Sequence, residues 1–123
     1  MKKTNYGSRA ERDQYIDVIL CEPGKKAHVI SIANRLESLQ EIVGGFIEVV
    51  YPFDDPVAII CNEEGKLNGM EVNRALRNPT TKTCDILVGP FLVIGLSKNN
   101  FTSLPIELQK KYFTMFEHPN IRI

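Results

Sequence analysis

The chain has no net charge: 15 Lys and Arg balance 15 Asp and Glu. General nucleic-acid binding relies on many Lys/Arg–phosphate contacts, so that class is set aside. There is no apolar run approaching the roughly 20 residues that cross a bilayer, so no membrane association is expected. The opening Met-Lys-Lys-Thr-Asn-Tyr-Gly-Ser leads into no apolar stretch, so no secretion signal is expected either. A cytoplasmic location follows as the expectation.

Catalytic signatures are missing as well. Cysteine occurs at Cys21, Cys61 and Cys84 only, with no CxxC pair. Neither a zinc ribbon nor a redox motif is indicated. Each cysteine sits in an apolar run and reads as a small hydrophobe. The two histidines, His28 and His118, belong to no HExxH. There is no GxSxG elbow and no GxGxxG, and the Gly65-x-x-x-Gly69 spacing lacks the Lys-Ser/Thr of a P-loop. The expectation is a protein that is not an enzyme, with no metal and no cofactor.

What remains is ordinary globular material. Hydrophobic residues make up 43% and charged residues 24% of 123 residues, which suits one domain. Residues 1–14 are polar and aperiodic and read as a flexible tail, with a short helix drawn over Ser8–Asp13. Residues 15–123 read as a single domain. Tyr15–Cys21 and Ala27–Ile32 are strands around the turn signal Pro23-Gly24. Asn34 and Glu37 have capping-box spacing before Leu36, Leu39, Ile42 and Val43, and Gly44-Gly45 ends that helix. Phe46–Tyr51 and Val57–Cys61 are strands; the second is apolar throughout, as a central strand is.

Asn62–Asn78 reads as a polar loop with a helical turn at Val72–Leu76, and Asn78–Thr81 as a further loop. Asp85–Val88 and Phe91–Leu96 are strands split by Gly89-Pro90. The last helix runs from about Leu104 to Phe116, capped by Ser103, with Leu108, Tyr112, Met115 and Phe116 as its buried stripe. The order β-β-α-β-β-(loop)-β-β-α does not alternate regularly. It predicts an α+β fold, a mainly antiparallel sheet of five to six strands with two helices packed on one face.

Three stretches carry a resemblance. They are Leu39-Gln40-Glu41-Ile42-Val43-Gly44-Gly45-Phe46-Ile47-Glu48, then Asn62-Glu63-Glu64-Gly65-Lys66-Leu67-Asn68-Gly69 with Asn73-Arg74-Ala75-Leu76, and Asp85-Ile86-Leu87-Val88-Gly89-Pro90-Phe91. In order and spacing, from about Tyr15 to Pro119, the chain resembles small proteins of phages and mobile elements of Gram-positive bacteria catalogued as a domain of unknown function. The resemblance implies a setting, that of an accessory protein with host-interaction or anti-defence roles, and no activity.

The segment that invites a ligand is 62–74. Asn62, Glu63, Glu64, Lys66, Asn68, Asn73 and Arg74 offer amides and charges, and two glycines let a backbone come close. Lys66 and Arg74 suit an anionic group, and Glu63 or Glu64 suits a hydroxyl or amine. The ligand expected is small and polar, or nucleotide-like. The competing reading is a self-bracing turn, with Arg74 paired to Asp85. A second surface offers itself to a host protein: Phe53 with Asp54 and Asp55 between prolines. Ile106 and Phe113, off the main stripe of the last helix, either widen its contact with the sheet or form a homodimer seam.

Overall fold

The computed structural model describes residues 14–77, 81–98 and 100–121. Residues 1–13 of the expected tail, with the helix over Ser8–Asp13, and the loop residues 78–80 lie outside the described residues. The order is β1 (Tyr15–Cys21), β2 (His28–Ala33), α1 (Leu36–Val43), β3 (Ile47–Val50), β4 (Val57–Asn62), β5 (Val72–Arg77), β6 (Cys84–Val88), β7 (Phe91–Ser97), β8 (Asn100–Thr102) and α2 (Ile106–Phe116). The α+β fold and its element order are those the sequence predicts. Strands run β2-β1-β7-β4-β3 across the main sheet, with β8 added to β7. Strands β5 and β6 form a separate two-stranded sheet. Every pairing among these strands is antiparallel.

Both faces of the main sheet are covered, which explains why β4 is apolar from Val57 to Cys61 and β7 is apolar through its first half. Side chains alternate between the faces. Val18, Leu20, Ala58, Ile60, Leu92 and Ile94 pack beneath α1 through Leu39 and Val43. Ile19, Cys21, Ile59, Phe91 and Val93 pack beneath α2 through Tyr112 and Phe116. The two helices therefore lie on opposite faces, which corrects the one-face expectation. Each fully buried aliphatic side chain contributes about 1.5–3 kcal/mol, and this double core fixes the sheet on which everything else is hung.

The cap assignments shift. Arg35, not Asn34, holds the N-cap position of α1 and makes no side-chain cap bond. Asn34 Nδ2 instead donates to the carbonyl of Phe101 at 2.9 Å and ties β8 down. Ser103 Oγ accepts from the Asp17 amide at 2.8 Å, and α2 starts after Pro105. The glycine stop of α1 holds: Gly44 has φ 81 and donates to the Gln40 carbonyl. Leu36 and Met115, expected in buried stripes, are exposed.

The helical turn expected at Val72–Leu76 is strand β5 instead. A second strand, β6, pairs with it, and tertiary pairing overrides the local preference. The β5–β6 sheet lies over the α2 side of the main sheet, where Leu87 joins the core and Leu76 packs on it. That placement leaves a groove between the two sheets.

Candidate functional site

Strand β4 ends in Asn62, which is buried and spent on structure. Its Nδ2 donates to the Val43 carbonyl at 3.1 Å, and its Oδ1 accepts the Glu64 amide at 2.8 Å. This side-chain turn starts a run of tight backbone bonds: Gly65 to Asn62, Asn68 to Glu64, Gly69 to Lys66 and Met70 to Gly65. Glu63, Glu64, Lys66 and Asn68 are exposed on that coil. Of the segment picked out in the sequence, these four present their side chains outward.

Asn73 and Arg74 do not. Asn73 Nδ2 donates to the carbonyls of Cys21 and Gly89 at 2.9 and 2.8 Å. Its Oδ1 accepts from Arg74 at 2.7 Å. Arg74 is fully buried, at 0% exposure. Its guanidinium donates to the carbonyls of Phe116, Lys25 and Glu22. None of its acceptors among the described residues is a carboxylate, and burial pushes its pKa below the usual value. Arg74 thus fastens β5 to the C-terminus of α2, where the helix dipole favours a cation, and to the β1–β2 turn. Both residues are braces, and neither side chain is exposed. The expected Arg74–Asp85 pair does not form. Asp85 is taken by Lys66 at 2.9 Å.

The groove between the sheets has a volume of about 540 Å³. Strands β3 and β4 supply Glu48, Val50 and Cys61; β5 and β6 supply Leu76, Asp85 and Leu87; Glu63, Lys66 and Tyr51 stand at the rim. Its floor is apolar and its rim charged. Three carboxylates, Glu48, Glu63 and Asp85, face one ammonium, Lys66. Lys66 and Asp85 are each 65% exposed, so their pairing is a weak, screened contact. The pairing raises the Lys66 pKa and lowers that of Asp85. Burial, helped by Glu48, pushes the Cys61 thiol up to about 11. At neutral pH it is a thiol, not a nucleophilic thiolate.

Glu48, Cys61 and Asp85 were not singled out in the sequence as ligand residues. The signal was the alternation of two strands: in the β3–β4 register Glu48 sits opposite Cys61, on the face that Val50 shares. A smaller hollow of about 360 Å³ on the other side of Asn62 is edged by Gln40, Phe46, Glu64 and Asn68.

At the second expected surface, Phe53, Asp54 and Asp55 edge a hollow of about 580 Å³ beside α2. The Phe53 ring packs 4.6 Å from Tyr112 and 6.5 Å from Phe116, so it is part of the core margin and not a free anchor. Asp55 accepts from Lys111 Nζ at 2.6 Å and from Tyr112 Oη at 2.7 Å. Asp54 is exposed. Phe113 packs against the core, while Ile106 is exposed, so the two do not form one exposed seam. Cys84 is exposed, against the reading of all three cysteines as core.

Among the described residues no group of His, Cys, Asp and Glu is arranged to hold a metal ion. No helix among them is long and apolar enough to cross a membrane. Residues 16–117 match the family described as a domain of unknown function (DUF3846), and the chain belongs to that family. No curated protein and no solved structure matches it.

Proposed function

We propose that this member of the DUF3846 family is a non-enzymatic binding protein that captures a small polar ligand bearing positive charge in the groove between β3–β4 and β5–β6. The observation that carries the reading is the lining: an apolar floor of Val50, Leu76 and Leu87 under a rim where Glu48, Glu63 and Asp85 outnumber Lys66. Ligand sites combine an apolar body with a few placed polar groups. The excess of carboxylates attracts a cation and repels a phosphate. A nucleotide-like ligand is therefore disfavoured at this groove, and Arg74, expected to hold its anionic group, is sequestered elsewhere. The protonated Cys61 thiol supports capture over covalent chemistry. The protein acts in the cytoplasm of a bacterial host. The resemblance to proteins of phages and mobile elements supports an anti-defence role, withdrawing a host-made ligand by sequestration.

The test is calorimetry and thermal shift with a panel of alkylamines, guanidines, neutral sugars and nucleotides. Binding confined to the cationic members, and weakened by Glu48→Gln with Glu63→Gln, is the expected result. A nucleotide that binds instead, or cation binding indifferent to both changes, would overturn the assignment.

A further inference from the structure

The groove opens beside an unpaired sheet edge. Strand β3 is the last strand of the main sheet and pairs only with β4 among the described residues. In an antiparallel ladder, residues alternate between those that bond their partner strand and those that bond outward. The Glu63 amide donates to the Phe46 carbonyl, so Phe46 lies in a bonded pair. Ile47 and Asn62 are the next pair, followed by Glu48 and Cys61. It follows that Glu48 and Val50 spend their backbone groups on β4. Ile47 and Val49 aim theirs away from the sheet. The exposed rings of Phe46 and Tyr51 stand at either end of this edge.

An added strand completes a free edge through backbone bonds, and specificity then comes from alternate side chains. In the register set here, the residue opposite Glu48 forms a non-bonded pair. That is the closer kind, with Cα atoms about 4.5 Å apart. Its side chain lies on the same face as Glu48, and Glu48 lines the groove. A lysine or arginine there meets Glu48 across the strand, on the face of the groove that Asp85 and Glu63 also line. An acidic residue there meets like charge.

We propose that the ligand of this groove is the basic side chain of an extended peptide segment, which adds to β3 antiparallel and hydrogen-bonds to Ile47 and Val49. The occupant is a partner protein presenting a strand with a central Lys or Arg. Charge complementarity selects it, and the backbone edge holds it. The inference rests on the groove being the binding site, as proposed above, and names what fills it.

The experiment is fluorescence polarisation with a labelled heptapeptide, Thr-Val-Thr-Lys-Thr-Val-Thr, chosen for its strand propensity. Three further peptides accompany it: glutamate in place of the lysine, N-methyl groups on both residues flanking the lysine, and an N-methyl group on the lysine itself. The flanking amides are the ones that face Ile47 and Val49. Expected is a loss of about tenfold or more in affinity for the glutamate and flank-methylated peptides. Methylation of the lysine amide, which points away from β3, leaves binding within about twofold. Glu48→Gln weakens the parent peptide and leaves the folded protein intact by circular dichroism. Butylamine, run alongside, separates the two proposals. If butylamine competes at the groove but flank methylation has no effect, the strand addition is wrong and the groove stands. If neither butylamine nor peptide binds, both fall. A homodimer by sedimentation that excludes the peptide also overturns the inference.

Discussion

Arg74 donates to the Phe116 carbonyl oxygen through two nitrogens, Nε at 3.1 Å and Nη2 at 3.0 Å. One buried cation thereby closes the end of α2 and anchors β5, which forms one wall of the groove. Arg74→Met keeps volume and removes these donors, leaving buried carbonyls unsatisfied. The expected cost is about 3 kcal/mol or more in urea unfolding. A change below about 1 kcal/mol would mean that Arg74 is not the brace its geometry implies.

Lys66 behaves in the opposite way. Its partner Asp85 is as exposed as Lys66 is. Lys66→Ala shifts stability by less than about 0.5 kcal/mol. It also frees Asp85 and removes the competing ammonium, so affinity for a cationic ligand rises. Titration of wild type and variant by calorimetry checks this; weaker cation binding in the variant would count against an acidic site.

Asp55 and Tyr112 make stability depend on pH at both ends. The Lys111 and Tyr112 hydrogen bonds hold the Asp55 carboxyl below its ordinary range. Its contribution is present above the unfolded value of about 3.9 and is lost as pH falls through the lower folded value. Burial raises Tyr112, with Asp55 adding to it. That contribution is complete below about pH 10 and is lost as pH rises through the folded value. Urea midpoints should fall on both sides. The gap between wild type and Asp55→Asn should narrow from about pH 4 downward, and a constant gap would refute the linkage.

The thiols should separate by reactivity. Cys84 is exposed and reacts with a disulfide reagent in the native protein. Burial pushes Cys21 up to about 12 and Cys61 up to about 11, so both wait for unfolding. Mass spectrometry after a brief native pulse should find one modified site, and early labelling of Cys61 would mean a groove wetter and looser than described.

Apart from β5 and β8, the strands, both helices and their order could be read from the sequence because hydrophobic period and glycine stops are local signals. Gly44 after Val43 is the clearest case. The strand at Val72–Arg77 could not, since its partner lies beyond the next loop, at Cys84–Val88. The polar segment 62–74 was visible as chemistry, but not as geometry. Asn and Arg look alike in sequence whether they face a ligand or a carbonyl. Burial alone assigned Asn62, Asn73 and Arg74 to the scaffold. The groove's carboxylates come from β3, the coil after β4, and β6, and only the fold brings Glu48 near Asp85.

The most direct measurement is a two-dimensional amide NMR titration with methylguanidine. Shifts concentrated on Glu48, Cys61, Glu63 and Asp85, with α2, Asp54 and Asp55 unmoved, are what a cation-binding groove requires. Shifts that scatter over the surface, or gather on α2, would contradict it.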